Sequence, residues 1–236
     1  MRWTEAAVMQ VKAVIFDVDG TLYEPRPVRL RMAARLLRSY LATPREGLAA
    51  ARLLRAYRRA QETLRTAPVA SDLAARQLEL ACRWSKTRPE IARALVARWM
   101  ENEPLDLLLR SARCGVKDFL ERARRRGVRL GVFSDYPAEQ KLAAMGLAEC
   151  FDAVISAQHQ GVQRFKPEPL GLELVLRVLG VGRQEALYVG DRPEVDATAA
   201  ARAGMNCAII GSARTPREAE WLGVAGFSEL AAFLAL

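Results

Sequence analysis

The sequence predicts an α/β fold: a parallel sheet with helices on both faces, interrupted by an all-helical insert. Three observations carry this. Short apolar runs alternate with helical stretches of about 9–13 residues, the pattern of a parallel sheet. Several of those runs stop at an Asp or Ser within a turn-forming segment. One stretch of roughly 90 residues keeps helical periodicity with no strand-like alternation.

The 236 residues are 51% apolar and 27% charged, enough to bury a core, which excludes global disorder. The first run, residues 11–16, reads as a buried parallel strand that stops at Asp17-Val18-Asp19-Gly20-Thr21. After Glu24-Pro25-Arg26-Pro27 the pattern turns helical, with four helices expected near 28–41, 45–64, 72–84 and 90–101. Thr43-Pro44 and Arg88-Pro89 mark helix starts, because proline is tolerated in a first turn, and Ser71 is an expected N-cap. Trp84 and Trp99 read as core of the insert rather than as substrate-stacking residues.

Beyond Gly115, a helix over 116–126 ends at Gly127. A strand over 128–133 runs into Ser134-Asp135, a short helix covers 138–145, and a strand lies near 151–156. Lys166-Pro167-Glu168-Pro169 precedes a helix to Leu179, and Gly180-Val181-Gly182 is a turn. The strand over 186–189 ends at Gly190-Asp191. A helix over 195–203, closed by Gly204, leads to a strand over 206–210. Residues 227–236 read as a terminal helix packed on the core or as a dimer contact; no motif specifies the oligomeric state. The core therefore comprises residues 1–24 and 114–236, and the insert 25–113.

The charges sort with this division. The chain carries 36 Lys+Arg against 27 Asp+Glu, a formal charge of +9. From Arg26 to Arg113 there are 19 Lys+Arg and 8 Asp+Glu, net +11, and the remainder is net −2. The basic excess belongs to the insert, either as solvated helix faces or as a field that concentrates an anionic ligand. A single histidine, His159, excludes a two-His metalloprotease helix, and its Gln/Gly-rich setting does not suit a triad base. Cys82, Cys114, Cys150 and Cys207 form no C-x-x-C pair, which argues against a zinc cluster and suits a reducing compartment. The C-x5-R spacing from Cys82 to Arg88 has no glycine to shape a phosphate loop. No window approaches the ~18 apolar residues of a membrane span, and the N-terminus lacks a signal-peptide run. A cytoplasmic protein with no membrane partner is expected.

In open parallel sheets the functional site lies at the carboxyl ends of the strands. Here those ends carry Asp17 and Asp19, Ser134 and Asp135, and Asp191 with Asp196, while Lys166 lies in a loop after a fourth strand. Converging carboxylates raise each other's pKa unless a cation joins them. An all-oxygen set favours a hard ion, and Mg²⁺ is the usual choice where few carboxylates share it with a phosphate. A lysine and a hydroxyl add donors for phosphate oxygens. Asp17 and Asp19, two apart in an extended segment, can serve as a nucleophile and a separate acid/base.

These residues resemble the haloacid dehalogenase-like hydrolases. Asp17-Val18-Asp19-Gly20-Thr21-Leu22 resembles the first motif of that family, Ser134 the second, Lys166-Pro167 the third, and Gly190-Asp191 with Asp196 the fourth. The resemblance implies a Rossmann-like core with a helical cap in the first insertion slot, as in phosphoglycolate phosphatase-like members. It implies that Asp17 forms an aspartyl-phosphate and that Asp19 protonates the leaving group and then deprotonates water. It implies Mg²⁺ held by the Asp17 carboxylate, the Asp19 carbonyl and Asp191, with Asp196 supporting that site or orienting Lys166. Ser134, Asp135 and Lys166 would bind phosphoryl oxygens, Asp135 through its backbone N–H with its side chain turned away. On this last reading Asp135→Asn hardly changes turnover.

About 115 residues separate the first two motifs and about 30 separate Asp135 from Lys166, so only the first slot holds a cap. Asp19 favours phosphate ester or anhydride hydrolysis, since the dehalogenases of the family lack an acid there. The expected partner is a small anionic phosphorylated substrate, with no nucleic acid. The alternatives are a phosphomutase of the same family and a non-catalytic basic module binding through charge alone.

Overall fold

Six parallel strands make one sheet in a computed structural model that describes residues 11–67, 72–212, 215 and 219–236. The strands are β1 (Ala13–Phe16), β2 (Arg129–Ser134), β3 (Ala153–Ser156), β4 (Ala186–Gly190), β5 (Asn206–Ile210) and β6 (Leu222–Val224), in the order β3-β2-β1-β4-β5-β6. β1 pairs with β2 on one side (Ala13 with Arg129) and with β4 on the other (Ala13 with Ala186). The strand order therefore reverses at β1, and the crevice at its carboxyl end is where such sheets bind ligands.

Alternation along β1 separates two cores. Val14 and Phe16 face one side, with Phe119, Leu120, Phe227 and Leu230. Ala13 and Ile15 face the other, with Val175, Leu172, Tyr188 and Ala199. This is the period-2 signature of a strand buried on both faces. The first core is covered by α6 (Val116–Arg125), α7 (Glu139–Ala144) and the terminal α10 (Phe227–Phe233). The second is covered by α8 (Leu170–Leu179) and α9 (Thr198–Ala203). Gly171 lets α8 lie against β2: a Cβ there would sit 1.9 Å from the Phe133 ring. The C-terminal helix thus packs on the core through Phe227, Leu230 and Ala231.

Between β1 and β2 the chain is wholly helical among the described residues. α1 (Pro25–Ser39), α2 (Pro44–Leu64), α3 (Leu73–Ser85), α4 (Pro89–Val96) and α5 (Leu105–Ser111) follow in order, and a π-helical turn over Ala97–Asn102 extends α4. Pro44 and Pro89 occupy first turns. Ser71 lies outside the described residues; Asp72 caps α3 by accepting from the Ala75 N–H at 3.0 Å. Leu53, Ala56, Tyr57, Ala81, Ala92 and Val96 form a separate small core. The two connecting segments run side by side: the Glu24 N–H donates to the Ser111 carbonyl (2.8 Å) and the Arg113 N–H to the Leu22 carbonyl (2.9 Å).

Four features differ from the sequence expectation. α5 and β6 are additional elements, both short. The helix expected over 195–203 begins with a π-helical turn over Pro193–Ala197. Trp99 is buried, but Trp84 is not core: its ring lies at the surface under the Arg59 guanidinium, 5.1 Å from the centroid. Its neighbour's cation shields that face, so the ring does not need to be buried.

Candidate active site

Asp17 directly follows β1, and its N–H donates to the Val189 carbonyl at 2.9 Å, extending the sheet pairing past the strand end. That pins the buried side chain at the centre of the crevice. Thr21 Oγ1 donates to its Oδ2 at 3.2 Å, and Lys166 Nζ donates to its Oδ1 at 2.6 Å. Lys166, in the loop after β3, is also buried, and its ammonium reaches Asp196 Oδ1 (2.7 Å) and the Tyr188 hydroxyl (3.1 Å). The second Asp196 oxygen accepts the backbone N–H groups of Asp191 (3.1 Å) and Arg192 (2.9 Å). Asp196 therefore both orients Lys166 and closes the turn after β4. Gly190 has no Cβ because one would lie 2.3 Å from that of Asp196.

Asp17, Asp191 and Asp196 each place an oxygen within 4.8 Å of the others. Burial, with Asp196, Asp191 and Asp19 nearby, pushes Asp17 up to about 8 despite the Lys166 ammonium. Burial and Asp196 push Asp191 up to about 6. Burial also disfavours the Asp196 carboxylate, but Lys166 and the two N–H groups outweigh it and hold its pKa down. Burial opposes the Lys166 charge, yet Asp17 and Asp196 hold its pKa well above the usual range. The Lys166 ammonium thus contacts two of the three carboxylates, and an all-oxygen group short of positive charge suits a hard divalent cation.

Gly20 shapes this corner. Its φ is +103°, and a Cβ would lie 2.0 Å from Asp191 Oδ2. Its carbonyl accepts from Arg113 Nε (3.1 Å) and a terminal nitrogen (2.9 Å). Gly20→Ala should therefore displace Asp191 and cost roughly 1–2 kcal/mol from the left-handed backbone alone. Thermal melting and divalent-ion titration check this; unchanged ion affinity would show that Asp191 tolerates the displacement.

Asp19 turns away from Asp17 toward α7. Lys141 Nζ lies 2.6 Å from both of its oxygens, and the Tyr23 hydroxyl donates to Oδ1. Burial raises the Asp19 pKa, but Lys141 and Tyr23 more than offset it, so the group is held below the usual carboxylate range. Ser134 ends β2, buried, and its Oγ accepts from the Tyr136 N–H at 3.4 Å.

Asp135 does not have a solvated side chain. Its Oδ2 accepts from Arg65 (2.7 Å) and from Gln61 Nε2 (2.9 Å), both near the end of α2, and its Oδ1 accepts the Lys166 N–H (3.2 Å). Arg65 is itself buried and also donates to the Lys166 carbonyl at 2.7 Å. The carboxylate neutralises a buried arginine, so Asp135→Asn is expected to cost stability, a separate effect from the turnover on which it was expected to be silent. His159 sits in an exposed loop, where its Nδ1 accepts the Gly161 N–H.

The structure thus gathers Asp17, Asp191, Asp196 and Lys166 into one cluster, places Asp19 beside it on Lys141, and puts Asp135 against the insert. Sequence reasoning missed Lys141, Tyr23, Tyr188, Gln61 and Arg65. Only the i+4 spacing of Tyr23 from Asp19 offered a local signal.

Known proteins are similar to this chain in the same terms. The family model for haloacid dehalogenase-like hydrolases matches residues 11–204. A glyceraldehyde 3-phosphate phosphatase of Methanopyrus kandleri is 30% identical over 202 residues, covering 83% of this chain and 82% of that one. A phosphoglycolate phosphatase of Rhodospirillum rubrum is 32% identical over 222 residues, covering 87% and 82%. The match to a phosphoserine phosphatase of Thermus thermophilus spans less than half of either protein: 43% of this chain and 41% of that one. Among solved structures, CbbY from Rhodobacter sphaeroides in complex with phosphate superposes with a TM-score of 0.60 at 26% identity, covering 96% of this chain and all of that one. With its matched strands, its parallel sheet and its strand-end carboxylates, the chain belongs to the haloacid dehalogenase-like hydrolases.

Proposed function

We propose that this hydrolase is a Mg²⁺-dependent phosphatase of a small phosphorylated metabolite, working through an aspartyl-phosphate on Asp17. The observation that carries this reading is the buried Asp17 carboxylate at the end of the central strand, aligned by Thr21 and Lys166 beside Asp191. An Asp17 oxygen attacks phosphorus, and the bond to the leaving oxygen breaks as Asp19, which Lys141 holds as a carboxylate in the resting site and which takes a proton from the bound phosphate monoester, passes that proton to the leaving oxygen. Asp19 then takes a proton from water as that water attacks phosphorus, and the bond to Asp17 breaks to release inorganic phosphate. The Ser134 hydroxyl, the Asp135 N–H and the Lys166 ammonium donate to the non-bridging oxygens. Asp17, Asp191 and the Asp19 carbonyl are the groups that would hold Mg²⁺, which when bound supplies charge stabilisation for the phosphoryl oxygens.

Residues 25–113 act as a cap, hinged at 24–27 and 111–115, that excludes water and presents a basic face to an anionic substrate. Action in the cytoplasm agrees with four free cysteines. No helix among the described residues is long and apolar enough to cross a membrane.

The test is phosphate release from a panel of phosphoglycolate, glyceraldehyde 3-phosphate, sugar phosphates, nucleoside monophosphates and pyrophosphate, with and without Mg²⁺. Mg²⁺-dependent release is expected. Isomerised ester without free phosphate would indicate a mutase instead, and no turnover of any ester would sink the reading.

The same cluster predicts a pH dependence. Asp17 and Asp191 have raised values in the metal-free protein, so they bind more protons folded than unfolded. Their contribution to stability is full at low pH and is lost as pH rises through about 6 and then about 8. A divalent cation relieves that loss. Mg²⁺ should therefore bind more tightly, and raise Tm further, at pH 8 than at pH 6; equal gains at both would contradict the linkage.

A further inference from the structure

We infer that Lys141 is a positioning residue for Asp19, holding the carboxyl that serves the leaving group; this rests on the phosphatase reading above. Its ammonium contacts both Asp19 oxygens at 2.6 Å, while the Tyr23 hydroxyl takes Oδ1 as well. Both oxygens are thus tied from outside the Asp17 cluster, which fixes the direction of the carboxyl. The Lys141 side chain is 14% exposed and that of Asp19 35%, so the clamp is shielded while the acid stays open to a ligand.

The base of the clamp is rigid. Lys141 is followed by buried Leu142, whose N–H donates to the Ala138 carbonyl at 2.9 Å, and Leu142 of α7 packs into the main core together with Met145 just past the helix end. Tyr23 is held from the other side by a backbone bridge to Ala112, on the segment leaving the insert. Residue choice points the same way. Only five of the 36 basic residues are lysines, and two of those five, Lys141 and Lys166, sit on catalytic carboxylates. A compact ammonium on a flexible stem is a point charge with rotatable donors that can follow a carboxylate as it shifts, whereas a planar guanidinium holds a carboxylate in one fixed fork geometry.

A proton delivered to the leaving oxygen matters when that oxygen is a poor leaving group and matters little when it is a good one. The two half-roles of Asp19 can therefore be read from substrate choice. The experiment measures kcat/KM, which reports the steps up to leaving-group release and not the later attack of water, for wild type, Lys141→Met, Lys141→Arg and Tyr23→Phe on two esters with Mg²⁺. One ester is the best alkyl phosphate of the panel, and the other is p-nitrophenyl phosphate. General acid catalysis contributes roughly 10²–10⁴-fold, so Lys141→Met should lose about 100-fold or more in kcat/KM on the alkyl ester. On the aryl ester the loss in kcat/KM should be less than about one-tenth of that. Lys141→Arg should recover part of the alkyl activity, and Tyr23→Phe should show the same bias in weaker form. Equal losses on both esters, or no loss on either, in protein that still melts cooperatively, would overturn the inference alone. If Lys141→Met does not fold, the Lys141→Arg and Tyr23→Phe ratios decide by the same rule. A wild type that releases phosphate from neither ester overturns the phosphatase reading, and this inference with it.

Discussion

Asp17→Asn is expected to lower kcat by at least about 10⁴-fold, the scale seen when a nucleophile is removed from a site that acts as a unit. The protein should still fold. The change is isosteric, the Asp17 N–H bond to Val189 is unaffected, and the amide keeps an acceptor for Lys166. The carboxyl that is lost is one whose charge burial already disfavours, which pushes it up to about 8. Metal-free Tm at neutral pH should therefore change little, whereas the gain in Tm on adding Mg²⁺ should shrink. Steady-state kinetics and melting curves on the same preparation separate the two effects. A variant retaining more than about one per cent of wild-type kcat would show that Asp17 is not the nucleophile.

Arg65→Met should cost stability instead. Arg65 bridges the end of α2 to the two loops of the site, pairing with Asp135 and donating to the Lys166 carbonyl. Burial opposes its charge, but Asp135 and Glu62 outweigh that. Removing one partner of a buried ion pair leaves the other uncompensated, typically at about 3–5 kcal/mol. In a chain of this length that is a fall in Tm of roughly 10 °C. Asp135→Asn should destabilise in the same direction, by stranding the arginine. The double variant should be less damaged than the sum of the two, since neither charge is then left alone. Strict additivity in that cycle would mean that the pair is not coupled.

The carboxylates of the site were legible in the sequence because a parallel sheet puts chemistry at strand ends, and a short apolar run that stops at Asp-Gly marks such an end. Asp17 after β1 and Asp191 after β4 are read this way, and the pairing of those two strands brings them together. Asp196 was legible as support, though only the structure shows that it divides its oxygens between Lys166 and the turn backbone. The contacts that cross between elements left no local trace. Lys141 reads as a solvated cation on a short helix, and nothing in its neighbours says that this turn faces Asp19. Arg65 is one basic residue among the 36 basic residues of the chain, and its burial depends on where α2 meets the loops after β2 and β3. β6 is three residues long, too short to show alternation, and is specified by its pairing with β5. The charge asymmetry was visible at once, and most of the arginines of α1 and α2 are indeed on the surface.

A phosphoryl group that passes through Asp17 can be mapped there directly. Quenching the enzyme during turnover with borohydride reduces an acyl phosphate to the alcohol, converting the aspartate that carried it to homoserine. Peptide mass spectrometry should find homoserine at position 17, dependent on both substrate and Mg²⁺, and absent from Asp17→Asn. Turnover with no such modification, or with it at Asp19, Asp191 or any other carboxylate, would contradict the account.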